Sequence, residues 1–210
     1  MAQRRVKGRE RQARAKPPMP EPIGGKEANK LPQICDKSAK CLHMSKKRRT
    51  FAADMKITLL VVGKTNDARI SSLIEEYKER LTHYVPFELV VLPDLKNAKA
   101  LSEEQVKTAE GEAILRYVTP SMDVVLLDEH GREFRSVEYA AWLQKKMASG
   151  RDLTLIIGGP YGFSKAVYER ANGKISMSQM TFSHQMIRIM AIEQIYRAMT
   201  ILKGEPYHHE

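Results

Sequence analysis

The sequence predicts an α/β fold over residues 55–210, with a parallel sheet flanked by helices, after a basic and disordered extension over 1–54. Two observations predict this organisation. From Met55 onward, short apolar runs alternate with longer amphipathic stretches, an order that is typical of parallel strands joined by helices. Before Met55 there is almost no hydrophobic periodicity, and residues 1–54 carry 15 of the 35 Lys and Arg residues but 5 of the 25 Asp and Glu residues.

The extension 1–54 cannot bury enough apolar surface to offset the entropy of ordering, because Pro, Gly, Lys and Arg dominate it. Three interpretations stay open: an RNA-attracting tail, an organelle transit peptide, and a misassigned start with Met55 as the first residue. Its Cys35, Cys41 and His43 are too few and too poorly spaced for a zinc site. The net charge of +10 lies wholly in this extension and therefore says little about the folded part.

Residues 55–210 contain no cysteine, and the chain has no run of 18 apolar residues. A domain without disulfides suits a reducing compartment, and a chain without such a run is not expected to span a membrane. The N-terminus also lacks the apolar core of a secretory signal. We therefore expect a cytoplasmic protein without a membrane segment.

The first strand is predicted over 56–63, because KITLLVVG is a continuous apolar run that ends at Gly, as in buried parallel strands. The next segment, 66–82, is predicted to be a helix with one apolar face, which comprises Ile70, Leu73, Ile74, Tyr77 and Leu81. The second strand is predicted over 87–93. A second helix, over 102–118, has Ser102 as its N-cap, and acidic residues follow in its first turn.

The same alternation continues to the end of the chain. The predicted elements are a third strand over 123–128, a turn at Gly131, a helix over 136–148, a fourth strand over 152–159, a short helix from Ser164 to about Ala171, a fifth strand over 174–178 and a last helix over 183–203. In the last helix, 12 of the 18 residues in 185–202 are apolar or Tyr and spread around the circumference. We expect this helix to be buried on more than one side, by its own sheet and by a second subunit.

The polar side chains of the last helix fall into two groups. Glu193 and Arg197 are four residues apart, a favourable pair that we interpret as structural together with Thr200. His184 and Arg188 instead share a face with apolar residues, where a cation requires a partner. Two interpretations of Arg188 stay open: a pair with a carboxylate across a dimer, or a contact with an RNA phosphate or base at the subunit interface.

Ligands of open parallel sheets collect at the carboxyl ends of the strands, and three predicted strand ends have unusual sequences. They are Leu127-Asp128, the segment GGPYGF over 158–163 and the segment MSQMTF over 177–182. A pocket formed by all three suits a flat, largely apolar ligand such as an adenosine moiety. Two of the segments also have a purely structural interpretation: the Gly-rich segment as a tight turn, and Met177 and Met180 as core residues.

The chain ends in KGEPYHHE, over 203–210. Gly204 is expected to end the last helix, and Pro206 fixes the direction of the tail. Tyr207 has a ring that can stack on a base, and His208 can exchange a proton near neutral pH. The tail is therefore either a frayed terminus or purification tag, or a segment that reaches back into a site.

Three stretches, LIIGGPYGF, SMSQMTFSHQMIRIMAIEQIYRA and GEPYHHE, closely resemble the RlmH family of ribosomal large-subunit pseudouridine N3-methyltransferases, a branch of the SPOUT superfamily. The resemblance covers essentially all of 55–210, and 1–54 has no counterpart in it. It implies a SPOUT fold whose C-terminal segment forms a trefoil knot, which ordinary connection rules do not predict. It also implies a homodimer that methylates N3 of a pseudouridine in helix 69 of 23S rRNA, on the assembled 70S ribosome, with S-adenosyl-L-methionine as methyl donor.

The resemblance further implies which residues form the site. The cofactor contacts fall at the three strand ends singled out above, and they are Leu127, Gly158, Met177, Ser178, Gln179, Met180, Thr181 and Phe182. A sulfonium is a strong methyl donor without a metal, so the protein has to align it with N3, exclude water and compensate the N3 proton. We expect Arg188 to stabilise the developing anion, and Tyr207 and His208 to position the base.

One position departs from the family, whose members commonly end in Pro-Tyr-His followed by Arg or Lys. This chain has His209 at that position, and a histidine is mostly uncharged at neutral pH, so we expect no strong phosphate contact there. Two alternatives to an RlmH-type enzyme remain: a SPOUT methyltransferase for another RNA such as tRNA, and a ribosome-associated factor without catalysis. The closing PYHH disfavours the first, and the intact Gly158 and Gly159 disfavour the second.

Overall fold

The computed structural model describes residues 55–95 and 100–209. The predicted disordered extension over 1–54 lies outside the described residues and stays a prediction. Strands and helices alternate along the described chain, as the sequence predicts. They are β1 (Ile57–Val62), α1 (Ala68–Thr82), β2 (Phe87–Leu92), α2 (Glu103–Tyr117), β3 (Asp123–Arg132), α3 (Ser136–Ala148), β4 (Leu153–Ile157), α4 (Lys165–Arg170), β5 (Gly173–Ile175) and α5 (Met186–Lys203).

The five strands form one sheet in the order β2-β1-β4-β3-β5, and every neighbouring pair is parallel. This arrangement confirms the predicted fold class, a parallel sheet flanked by helices. All strands therefore end at the same edge of the sheet, which brings the three candidate strand ends together. The trefoil knot implied by the resemblance stays a prediction.

The helices cover both faces of the sheet. Alternate residues of a strand point to opposite faces, so in β1 the side chain of Leu59 belongs to one core and that of Leu60 to the other. The core that contains Leu59 is covered by α1, α3 and α5, and the core that contains Leu60 is covered by α2 and α4. Both cores are apolar and buried, which makes the strand ends a rigid platform for a site.

Strand β3 corrects one prediction. The turn expected at Gly131 does not occur, because β3 continues to Arg132 and pairs with β5 across an irregularity between Leu127 and Arg132. Gly131 lies directly against β5, and a Cβ there would lie closer than 3.0 Å to the backbone of Ile175. The glycine is therefore required by close approach of two backbones and not by a turn.

Helix α5 lies between α1 and α3 in its layer. From 187 to 202 every residue is buried or half-buried, so the predicted burial on more than one side is confirmed. The neighbours that bury it here belong to its own chain, and contact with a second subunit stays a prediction. The helix ends at Gly204, which has φ 70° and donates its N–H to the carbonyl of Ile201 at 3.0 Å, as predicted.

The N-terminus of α2 has the predicted cap. The Ser102 hydroxyl accepts from the Gln105 N–H at 3.3 Å, and the Gln105 side chain accepts from the Ser102 N–H at 2.9 Å, which completes a capping box. In α1, Ile74 and Leu81 are buried as predicted, whereas Leu73 is 44% exposed at the margin of the apolar face. No helix within 55–95 and 100–209 is long and apolar enough to cross a membrane.

Candidate functional site

A cavity of about 680 Å³ lies where β3, β4 and β5 end. This volume is typical of pockets that hold a small molecule. Much of the lining is apolar and comes from the strand ends, the loop before α5 and the start of α5, namely Leu127, Ile157, Phe163, Met177, Phe182 and Ile187. The loops that follow the strands add backbone groups and a few polar side chains.

The structure brings together nearly all the residues expected to contact a cofactor. Seven of the eight line this cavity: Leu127, Gly158, Met177, Ser178, Met180, Thr181 and Phe182. The eighth, Gln179, does not line it, and its side-chain amide donates instead to Glu133 at 3.2 Å. Their role in binding stays a prediction, but their convergence is a fact of the fold.

The segment over 158–163 is both a tight turn and a wall of the cavity. Gly162 has φ 80° and donates its N–H to the Gly159 carbonyl at 3.2 Å, which closes the turn. Gly158 packs on the ring of Phe163, where a Cβ would lie 3.1 Å from ring carbons. A larger residue at Gly158 would therefore press on this ring, and one at Gly162 would be strained by the positive φ.

The loop before α5 is held in place by its own polar groups. The Ser176 N–H donates to the Arg132 carbonyl at 3.0 Å, and the Ser176 hydroxyl donates to the Ser178 carbonyl at 3.0 Å. The Ser178 hydroxyl accepts from the Met180 N–H at 2.9 Å. Met180 is 77% exposed, so it is not the core residue that the structural interpretation supposed.

The part of β3 that borders the cavity is tied to α4 by a pair that sequence reasoning missed. The Tyr168 hydroxyl donates to Asp128 Oδ2 at 2.5 Å, and the His130 N–H donates to Asp128 Oδ1 at 2.8 Å. Burial, and then this hydrogen bond, raise the pKa of Tyr168 to about 12. Asp128 and Tyr168 both line the cavity, and only their proximity in space reveals the pair.

Arg188 does not have the surroundings that we expected for it. Its side chain is 3% exposed and donates to the Thr65 hydroxyl at 2.8 Å and to the Val62 carbonyl at 2.6 Å. Burial lowers its pKa, an effect that the charge of Asp94 opposes, and an Arg side chain stays a cation. Arg188 therefore holds the end of β1 within its own chain, and its expected role towards the developing anion stays a prediction.

His184 lies one turn before Arg188 and lines the cavity. Partial burial of the imidazole, followed by the charge of Arg188, lowers the pKa of His184 below its ordinary value. The side chain is therefore predominantly neutral at physiological pH and can accept or donate a hydrogen bond.

Tyr207 is packed within its own chain, and its expected contact with a base stays a prediction. Its ring is edge-on to Tyr196 with centroids 4.9 Å apart, and the Arg197 guanidinium lies 4.8 Å from its centre. Its hydroxyl donates to Glu193 at 3.1 Å and accepts from the Tyr77 hydroxyl at 3.1 Å. Burial, followed by these hydrogen bonds, raises the pKa of Tyr207 above its usual range.

The tail does not reach the cavity of its own chain. The described lining of the cavity ends at Ile187, and the Tyr207 ring rests on Tyr196, about 14 Å further along α5. His208, half-buried, follows Tyr207. Within one chain, the predicted cofactor residues and the predicted base-positioning residues are therefore apart.

The other charged groups around the cavity are mostly acidic. Among the described residues, its lining includes three carboxylates, those of Glu103, Asp128 and Glu129, and a single Lys or Arg side chain, that of Lys107. Within 55–95 and 100–209, His, Asp and Glu residues form no group of three that could hold a metal ion. The lining therefore suits a ligand with positive charge more than a phosphate-bearing one.

Glu110 is a buried acid that sequence reasoning also missed. It lies on the inner face of α2 between Val106 and Ile114, is 7% exposed, and its carboxylate touches Gly159. The signal was present, because Glu110 is spaced four residues from each of these buried apolar residues. A charge at such a position is uncommon and indicates a special environment.

A family model described as a predicted SPOUT methyltransferase matches residues 55–208. Ribosomal RNA large subunit methyltransferase H of Parabacteroides distasonis is 59% identical over 157 residues, which are 74% of this chain and 100% of that protein. The protein of the same name in Flavobacterium psychrophilum is 54% identical over 157 residues, again 74% of this chain and 100% of that protein. A crystal structure of a putative methylase family protein from Neisseria gonorrhoeae aligns with 77% of this chain and 88% of that one, at 15% identity and a TM-score of 0.41.

Proposed function

The chain belongs to the SPOUT methyltransferase family, and from this premise we propose that it methylates ribosomal RNA of the large subunit with S-adenosylmethionine. The observation that carries the proposal is the cavity at the ends of β3, β4 and β5, which collects seven of the eight residues expected to contact the cofactor. Relatives that are 54 to 59% identical have names that state this substrate.

The residues of the cavity fit the proposed cofactor. Apolar side chains such as Leu127, Met177 and Phe182 offer a surface for a flat adenine ring. Gly158 and Gly159 let backbone groups approach closely, and the acidic lining suits the positive sulfonium and amino groups. When bound, S-adenosylmethionine supplies an electrophilic methyl group.

The finer proposal is that the acceptor is N3 of a pseudouridine in helix 69 of 23S rRNA, within the 70S ribosome. The motif GEPYHHE at the tail supports it, as does the even balance of charge in 55–210. A domain without excess positive charge gains little from phosphates alone, so the shape of an assembled ribosome has to contribute recognition. Ribosomes are cytoplasmic in bacteria, which fits the expected location.

We also propose that the working unit is a homodimer in which the tail of one subunit completes the cavity of the other. The packing of Tyr207 on Tyr196, about 14 Å along α5 from the cavity of the same chain, supports this arrangement. In it, Tyr207 anchors the tail, His208 positions the base and helps to compensate the N3 proton, and Arg188 keeps the end of β1 in place.

The proposal is tested by transfer of labelled methyl groups from S-adenosylmethionine to 70S ribosomes that lack the modification, with free 23S rRNA and tRNA in parallel. We expect label in helix 69 of the 70S sample alone. Gly158→Val is expected to abolish transfer because its side chain enters the cavity wall, whereas Glu112→Gln, on the exposed side of α2, is the active control. Label in tRNA, or none in any RNA, would contradict the proposal.

A further inference from the structure

A buried carboxyl group lies directly behind the cavity and has no part in the proposed reaction. Glu110 is 7% exposed. A Cβ placed on Gly159 would lie closer than 3.0 Å to both of its carboxylate oxygens. Since Gly159 lines the cavity, the backbone of this residue lies between the carboxyl group and the cavity.

The carboxyl group is incompletely paired. Its Oε2 is buried and has no hydrogen-bond partner among the residues that the structure describes. Burial, and then the charge of Asp94, raise the pKa of Glu110 above its ordinary value. A buried carboxylate of this kind is stabilised by any cation that arrives nearby, because the two charges attract each other through protein with little water between them.

The charged groups around Glu110 come from every element that surrounds the cavity. They are Glu103 and Lys107 on the same face of α2, Asp94 after β2, Asp128 and Glu129 after the paired part of β3, the predominantly neutral His184 before α5, and Arg188 in the first turn of α5. Lys107 is paired with Glu104 at 2.8 Å, and Arg188 is hydrogen-bonded at the end of β1. Carboxylates therefore outnumber cations around the cavity in the described part of the chain.

This inference depends on the proposed methyl donor, whose sulfonium is positive, whereas the thioether left after transfer is uncharged at sulfur. We propose that Glu110 is a specificity-determining residue that makes the cavity prefer the cationic methyl donor over its neutral product. Release of the product is thereby favoured after each transfer. A tenfold preference corresponds to ~1.4 kcal/mol, which two unit charges supply even ~12 Å apart in protein with an effective dielectric constant of about 20.

The test is calorimetric titration of the full chain with three ligands: S-adenosylmethionine, S-adenosylhomocysteine, and sinefungin, which has an amine at the position of the sulfonium. The variants are Glu110→Gln, which removes the charge and keeps the shape, and Glu110→Asp, which keeps the charge. Glu112→Gln is the matched control, because Glu112 is two residues away on the exposed side of the same helix. Thermal unfolding of each variant reports its folding.

We expect Glu110→Gln to lower the affinity for S-adenosylmethionine and sinefungin about tenfold. The affinity for S-adenosylhomocysteine is expected to stay the same, so that the preference for cationic ligands is lost. Glu110→Asp is expected to keep most of the preference, and Glu112→Gln all of it. If Glu110→Gln lowered the affinity for all three ligands equally, or changed none of the affinities, this inference alone would be overturned. A wild-type chain that binds none of the three would overturn the proposed function as well.

Discussion

At the scale of single residues, Tyr207 illustrates how the tail is fixed. The Tyr77 hydroxyl donates a hydrogen bond to the Tyr207 hydroxyl, which in turn donates to the Glu193 carboxylate, and each donor–acceptor distance is 3.1 Å. Tyr84 adds a second attachment through a hydrogen bond to Glu205. Because the tail residue His208 has no regular structure of its own, these bonds to α1 and α5 determine where it lies.

Tyr207→Phe is expected to reduce methyl transfer and to leave S-adenosylmethionine binding unchanged. The ring still packs on Tyr196, but the two hydroxyl bonds are lost, and each contributes ~1 kcal/mol. If the tail must be held in place for the reaction, we expect kcat/KM to fall up to about 30-fold. Tyr77→Phe, outside the tail, is expected to give part of the same loss. A normal rate for Tyr77→Phe would show that Tyr207 acts by touching the base. Tyr117→Phe, on the opposite face of the sheet, is the control.

Glu110 leads to a prediction about stability and pH. Burial raises its folded pKa above the unfolded value of about 4.5, so the folded state binds more protons than the unfolded state between the two values. Stability is therefore expected to fall as the pH rises through this window. Thermal unfolding of Glu110→Gln across the same range is expected to lack this part of the slope, whereas Glu112→Gln should retain it.

At the scale of elements, the pairing of β3 with β5 decides the shape of the site. The strand β5 has three residues, Gly173–Ile175, and the loop that lines the cavity begins immediately after it. Its alignment depends on Gly131, which lets the two backbones approach where any side chain would collide with Ile175. Gly131 in β3 therefore influences the shape of the cavity indirectly, because it sets the position of β5 and of the loop that follows β5.

Gly131→Ala is expected to lower the free energy of unfolding by ~1–3 kcal/mol, because the added methyl group overpacks a backbone contact. It is also expected to weaken the binding of S-adenosylmethionine, since the loop after β5 has to move. Gly173→Ala is a matched control in the partner strand, where a Cβ would meet nothing within 4 Å. Chemical denaturation and calorimetry measure the two effects. Equal stability of both variants would contradict this account of Gly131.

At the scale of the whole molecule, the proposed site needs two chains. The residues predicted to contact the cofactor gather at one edge of the sheet, while the tail is bound to α1 and α5 by Tyr77 and Tyr196. The two parts belong to one site if a second subunit brings its tail to the cavity. Closed two-fold symmetry would then give two equivalent sites for each dimer.

Mixing two inactive variants tests this arrangement. Gly158→Val destroys a cavity and His208→Ala removes a tail group, and each homodimer is expected to be inactive. After unfolding and refolding of an equal mixture, half of the dimers are mixed and each has one intact site, so about a quarter of the wild-type rate is expected. No recovery, with mixed dimers demonstrated by mass spectrometry, would indicate that the tail serves its own subunit.

The sequence by itself determined the order and type of the elements from Met55 onward, the cap at Ser102, the helix end at Gly204 and the strand ends that meet at the cavity. These features depend on periodicity and on residues close in the chain. It also determined that the charge excess lies in 1–54. Because parallel strands end at one edge, the placement of Leu127 and Gly158 beside one cavity could be inferred without coordinates.

Only the tertiary structure decided which distant groups meet. The partners of Arg188 are 123 and 126 residues away, and Tyr77 is 130 residues from Tyr207. The approach of Gly131 to β5 and of Glu110 to Gly159 likewise depends on how layers pack. No local pattern encodes such contacts. The partner of a buried charge, and the group that requires a glycine opposite it, come from parts of the chain that only folding brings together.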